Sequence, residues 1–200
     1  MLTLLIATGN PGKIIELQDL LKDLPVKLVT PADVGLKDFD VVEDGRTYAE
    51  NAEKKALAYC QASGLPVLAD DSGLEVDALD GAPGLHSARY APQPGATDAD
   101  RRALMVKNLR GLPQPWTARF RCTVAVATPE GAMELTEGTC EGEIIPEERG
   151  SNGFGYDPIF MLTDLGRTMA ELTRQQKNTL SHRARAVNAA IPLLERMIEE

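Results

Sequence analysis

The chain opens MLTLLIATGNPGK, an apolar run delivered straight into a glycine, asparagine and proline turn and then a lysine. Leu2 to Ala7 read as a buried strand. Asn10 can cap a helix whose first residue is Pro11, where a missing N–H costs nothing. Ile14, Leu17, Leu20, Leu21 and Leu24 form one apolar stripe at helical spacing. A buried strand feeding a helix this directly belongs to α/β architecture. Gly12 and Lys13 fall in the first helical turn, where backbone N–H groups, the positive end of the dipole and an ammonium converge. The turn is either a plain helix start with a surface lysine or a cradle for an anion. It does not fit the ATP-binding pattern, which has four residues between Gly and Gly-Lys and then Ser or Thr. Only Asn10 and Pro11 separate Gly9 from Gly12, and Ile14 follows Lys13.

The remaining elements alternate in type. Val26 to Thr30 reads as a short strand. Thr47 and Glu50 form a capping box that opens a helix ending at Gly64. LPVLADDSG reads as a strand running into a turn with Asp70 and Asp71 at its end, and GLEVDAL as a further short strand or turn. APQPGATDAD is a loop and DRRALMVKNLRG a helix. In ARFRCTVAVAT the residues Ala118, Phe120, Cys122, Val124 and Val126 share one face, which predicts a long half-buried strand. ELTEGTCEGEII is expected beside it. SNGFGYDPIF is a glycine and aromatic loop entering a strand. Thr173 opens a helix that contains Lys177. Ser181 caps the last helix, whose stripe is Ala184, Val187, Ile191, Leu194 and Ile198, with a kink expected at Pro192. The class is α/β with a mixed β-sheet. PQPW, Pro113 to Trp116, is the expected crossing between two lobes.

The length of 200 residues suits a single domain, residues 1–200, with two lobes. A net charge of −9 argues against broad binding to nucleic acid or an anionic membrane, since both need a basic face. A small anion remains compatible, because local cations or a metal can outweigh the global field. Cys60, Cys122 and Cys140 are odd in number and contain no CxxC, so neither a disulfide framework nor a zinc site is indicated. Reduced thiols and a cytoplasmic location fit best. The opening apolar run is too short for a membrane span, and it lacks the charge of a signal peptide.

Several polar clusters have both a bland and a chemical reading. Asp70, Asp71, Ser72 and Gly73 favour turns. Two adjacent carboxylates also repel each other, and Mg²⁺ takes one or two carboxylates together with phosphate oxygens. Glu50 is assigned to the capping box, which leaves Glu43 as the candidate second ligand. In GFGYDP, Phe154 and Tyr156 sit among glycines, which argues for exposed ring faces. A ring there could stack on a purine, worth roughly 1–3 kcal/mol. Asp157 precedes a proline and is expected to be extended. His182 and Arg183 lie in the first turn of the last helix, where the dipole disfavours cations, so a negative or carbonyl partner is expected. His86 reads as structural.

ATGNPGK, ADDSGLEVDAL with GAPGLHSARY, GFGYDPIF and KNTLSHRARA stand in the order and at the spacings of the inosine triphosphate pyrophosphatases. The resemblance runs from Leu4 to about Leu194. It implies two α/β lobes flanking a long central substrate cleft, a homodimer, and Mg²⁺-dependent hydrolysis of ITP, dITP and XTP to the monophosphate and pyrophosphate. Such activity keeps these nucleotides out of DNA and RNA. Carried over by motif, Thr8, Gly9, Asn10, Pro11, Gly12 and Lys13 would hold the triphosphate. Glu43 and Asp71 would hold the metal, with Asp71 the proton acceptor for the attacking water. Ser72 would line the site. Phe154, Gly155, Tyr156, Asp157, Lys177, His182 and Arg183 would form the base and phosphate pocket. Donors from His182 and Arg183 would then select a 6-oxo over a 6-amino purine. Other readings are a pyrophosphatase for modified pyrimidine or methylated nucleotides, a nucleotide-binding regulator without turnover, and a partner-binding protein.

Overall fold

A computed structural model describes residues 1–199. In chain order the elements are β1 (Leu2–Ile6), α1 (Pro11–Leu21), β2 (Val26–Val29), α2 (Tyr48–Ser63), β3 (Val67–Val76), β4 (Pro83–Gly84), α3 (Asp98–Leu109), β5 (Trp116–Ala127), β6 (Met133–Ile144), β7 (Phe160–Leu162), β8 (Arg167–Thr168), α4 (Arg174–Leu180) and α5 (His182–Glu199). The strands form one mixed sheet in the order β2-β1-β3-β5-β6-β7-β8, with β4 beside β3. β1 runs parallel to both β2 and β3, with Leu5 opposite Val29 and Val67. β4, β7 and β8 pair antiparallel. The α/β class with a mixed sheet is the one read from the sequence.

The chain divides into two units. The first comprises Met1–Asp71, Cys122–Gly138 and the segment beginning at His182; the second comprises Ser72–Arg121 and Thr139–Ser181. Three passages between them lie inside β3, β5 and β6, and the fourth separates α4 from α5. PQPW, the expected crossing, lies wholly within the second unit.

In the first unit β1, β3 and the part of β5 from Cys122 are covered on both faces, and their period of two sorts the side chains. Leu4 and Ile6 of β1, Leu68 of β3, and Cys122, Val124 and Val126 of β5 pack with Leu17 and Leu21 of α1 and Val187 and Leu194 of α5. Leu5 and Ala7, Val67 and Ala69, and Ala125 and Ala127 face the other way, against Ala52, Ala56 and Tyr59 of α2. β5 is therefore buried on both faces from Cys122 onward, where one buried face was expected. The second unit has its own core, in which Met105 and Leu109 of α3 join Trp116, Phe120 and Phe160. The rings of Phe120 and Phe160 lie 4.5 Å apart.

Local chemistry departs from expectation at one cap. Asn10 closes α1 as read, accepting from the N–H groups of Gly12 and Lys13. Thr47 accepts from Glu50 N–H at 3.1 Å, but the Glu50 carboxylate reaches Arg46 N–H at 2.7 Å instead of Thr47. The reciprocal half of the box thus closes one residue upstream. Pro192 lies inside α5, which continues to Glu199.

β6 and α5 approach closely at Gly138. A Cβ there would stand 2.1 Å from the His182 carbonyl oxygen and 2.5 Å from the Ala186 nitrogen. Gly138→Ala is expected to lower stability by about 1–3 kcal/mol by forcing the first turn of α5 outward. A denaturant midpoint equal to that of the parent would exclude this effect.

Candidate functional site

The two aspartates lie in the middle of β3, where a strand end was expected. This separates their environments, because neighbouring residues of a strand point to opposite faces. Asp70 shares the parity of Leu68, the α1 and α5 side. Asp71 shares the parity of Val67 and Ala69, the α2 side.

Asp70 is 1% exposed and gathers cations. Its Oδ2 lies 2.9 Å from Lys13 Nζ and 3.1 Å from Arg183 Nε, and its backbone oxygen accepts from Lys55 Nζ at 3.0 Å. Burial pushes its carboxyl up, but the charges of Lys13, Arg183 and Lys55 together hold it well below the usual carboxylate range. Arg183 is itself buried, with a terminal nitrogen 2.5 Å from Glu16 Oε2. Burial opposes its charge, yet Asp70 and Glu16 raise its pKa above the ordinary guanidinium value. Asp70 Oδ1 is buried with no hydrogen-bond partner. The Cys122 thiol, 3.9 Å from Asp70 Oδ2, is pushed up to about 12 by burial and by that carboxylate.

These contacts supply the anionic partner expected for Arg183 at the start of α5. In this arrangement Arg183 Nε and one terminal nitrogen pair with the carboxylates of Asp70 and Glu16.

On the other face, Asp71 Oδ2 accepts from the Asn51 side-chain amide at 3.0 Å. Burial raises the Asp71 carboxyl above its ordinary value, outweighing Asn51 and the charges of Lys55 and Lys13. Glu43 lies 2.6 Å from Lys55 Nζ. Burial lowers the Lys55 pKa, but Asp70, Glu43 and Asp71 more than restore it. A buried ammonium thus pairs with Glu43, and its charge also acts on Asp71.

The turn after β1 also differs from the expected cradle of open N–H groups. Asn10 Oδ1 accepts from Gly12 at 2.9 Å and Lys13 at 3.2 Å, and the Asn10 N–H donates to Thr8 Oγ1 at 3.2 Å. The cap competes with any anion for those donors. The cation at this turn is Lys13, whose ammonium rests on Asp70.

The other expected residues belong to the second unit, except His182, which is buried at the start of α5 in the first. Ser72 is half-buried and follows Asp71 directly. Lys177 of α4 donates to Asp157 Oδ2 at 2.6 Å and stands 4.9 Å from the centre of the Phe154 ring. Phe154 N–H donates to the same carboxylate at 2.9 Å. A Cβ on Gly153 would fall 2.0 Å from Asp157 Oδ2, and its φ is +76°, so this turn requires glycine. Tyr156 corrects the expectation of an exposed ring: it is 4% exposed, and its hydroxyl donates to the Ser87 carbonyl at 2.8 Å. Asp157 begins a short 3₁₀ turn through Ile159 instead of being extended.

Among the described residues no cluster of three or more His, Cys, Asp or Glu is arranged as a metal set. Two carboxylates are still enough for Mg²⁺ when phosphate oxygens complete its shell. Asp71 and Glu43 are hard oxygen donors of this kind, and the charge of Lys55 acts on both. The residues present fit a divalent cation.

The sequence profile of the Ham1 family matches residues 4–193. The chain belongs to the Ham1 family. It is similar to the dITP/XTP pyrophosphatase of Desulforamulus reducens, at 47% identity over 97% of this chain and 96% of that one. The dITP/XTP pyrophosphatase of Synechocystis is 47% identical over 96% and 94% of the two chains. Among solved structures, a HAM1 protein from Coxiella burnetii superposes with a TM-score of 0.88 at 41% identity, covering 98% of this chain and 100% of that one.

Three polar residues of this Ham1 chain escaped the sequence reading: Glu16, Asn51 and Lys55. Glu16 lies outside the α1 stripe and reads as surface. Asn51 and Lys55 carried a usable signal. With Tyr59 they repeat every four residues beside Ala52 and Ala56, so they fall within the buried face of α2.

Proposed function

We propose that the chain hydrolyses dITP, XTP and ITP to the nucleoside monophosphate and pyrophosphate. The observation that carries this reading is the near full-length identity to relatives named dITP/XTP pyrophosphatase. The site chemistry supports it. Asp71 and Glu43 would hold Mg²⁺, with Asp71 accepting a proton from the attacking water. Mg²⁺ when bound supplies neutralisation of phosphate charge and a lower pKa for water. Water attacks the α-phosphorus, and the electron pair of the broken P–O bond leaves with pyrophosphate. Lys13 meets the triphosphate, with Thr8 to Gly12 shaping the turn that carries it. Asp70 sets the direction of Lys13, and Lys55 holds Glu43 in place.

Phe154 offers its ring to the base, with Gly155, Tyr156, Asp157 and Lys177 fixing the loop and Ser72 lining the site. His182 supplies a donor on the base side. Arg183 joins it only on leaving Asp70 and Glu16; in the arrangement described, it positions Asp70. The assembly is a homodimer, which sedimentation tests.

Pyrophosphate release should be metal-dependent with dITP, XTP and ITP, much slower with GTP and ATP, and absent with chelator. Release of orthophosphate would move the cleavage site away from the α-phosphorus. Tight binding of dITP without turnover would make the chain a nucleotide-binding regulator.

A further inference from the structure

The loop from Phe154 to Asp157 is held by a helix that the proposed reaction leaves without a task. Asp98 is the first residue of α3 and Arg102 lies one turn on, so both side chains leave the same face. Gly155 N–H donates to Asp98 Oδ2 at 2.7 Å, and Gly155 C=O accepts from an Arg102 terminal nitrogen at 2.8 Å. Arg102 is in turn fixed by Glu148 through a two-pronged contact, at 2.8 and 3.0 Å. Asp98 also pairs with Arg101.

Both hydrogen-bonding groups of one loop residue are thus served by side chains of a single helix. Gly155 has φ +60°, and a glycine in a loop without such ties rotates readily. Its neighbour Phe154 is held from the other side by Asp157, through its own N–H. We infer that Asp98 and Arg102 are positioning residues that fix the Gly155 backbone and so aim the Phe154 ring at the purine base. This rests on the proposal that Phe154 stacks on that base.

A helix-stabilising role alone would be a weaker explanation of Asp98. An acid in a first turn favours the dipole wherever it points, whereas the Oδ2 contact at 2.7 Å is to a loop 57 residues away in sequence. Asp100 serves as the comparison. It completes the capping box with Thr97 in the same turn and is exposed.

The test is steady-state hydrolysis of dITP with Mg²⁺ by the full chain. Asp98→Ala should raise KM about tenfold with kcat nearly unchanged, the mark of lost binding common to ground and transition states. Asp98→Asn should restore KM, because its amide oxygen can still accept from Gly155 N–H. Arg102→Met, which releases the Gly155 carbonyl, should give the same KM rise and provides a second probe should Asp98→Ala fail to fold. Asp100→Ala should lower thermal stability and leave KM alone. Phe154→Ala should raise KM, and Asp98→Ala added to it should have no further effect, since residues acting through one group are not additive.

A KM increase in Phe154→Ala with none in Asp98→Ala or Arg102→Met would overturn the inference and leave base stacking standing. An equal KM increase in Asp100→Ala would also overturn it, by making the effect one of helix stability. An unchanged KM in Phe154→Ala would remove the stacking reading and the inference with it.

Discussion

Asp71→Asn is expected to lower kcat for dITP by about 10²–10⁴-fold, the range lost with a general base. The substitution keeps the shape of the side chain and an oxygen that can accept from Asn51, so the buried contact survives. It removes the charge and the basic lone pair. The folded fraction should stay near that of the parent, judged by the denaturant midpoint, so that lost activity reports chemistry. Asp70→Asn should behave differently. Asp70 faces the α1 and α5 side, and its loss frees Lys13 and unbalances Arg183, so stability should fall before the chemistry can be compared. A kcat reduced less than threefold by Asp71→Asn would exclude Asp71 as the base.

Arg183→Met should have the larger structural effect, about 3–5 kcal/mol of unfolding free energy, the usual cost of removing one partner from a buried ion pair. Methionine fills space but leaves Asp70 and Glu16 buried without the guanidinium that both contact. The pH dependence separates charge from packing. The folded Asp70 carboxyl is held below its unfolded value of about 3.9. Its contribution is therefore fully present above about pH 4 and is lost as the pH falls through the depressed folded value. The difference between parent and variant should be greatest near neutrality and shrink in acid. Urea unfolding at pH 7 and at about pH 3 measures it. An equal difference at both would assign the loss to packing.

What could be read in advance follows from range. The strand, cap and proline that open the chain are local, and they form as written because each signal lies within a few residues of the group it satisfies. The mixed sheet was legible for the same reason. The continuity of β3 was hidden because Asp, Ser and Gly are turn formers, and only burial of β3 between neighbouring strands overrides that preference. Asp71 could be named from its motif, but its separation from Asp70 needed the parity of a strand the sequence seemed to end. Asp98 was unreadable because its partner lies 57 residues away, on a backbone N–H that no residue identity announces. Tyr156 misled because glycines around a ring suggest exposure, whereas here they allow the tight turns that carry the ring inward.

The buried thiols make the protein its own clock for opening. Cys60, Cys122 and Cys140 form no disulfide among the described residues and are buried. Alkylation requires an accessible thiolate, and the Cys122 thiol is additionally held protonated to about pH 12. Each should therefore react only when its surroundings open. Cys122 lies in the first unit and Cys140 in the second. Mass spectrometry of the two alkylated peptides over time would then follow the local opening of each unit in the unaltered chain, with no engineered label. Addition of dITP and Mg²⁺ would slow the reaction wherever the nucleotide tightens the fold.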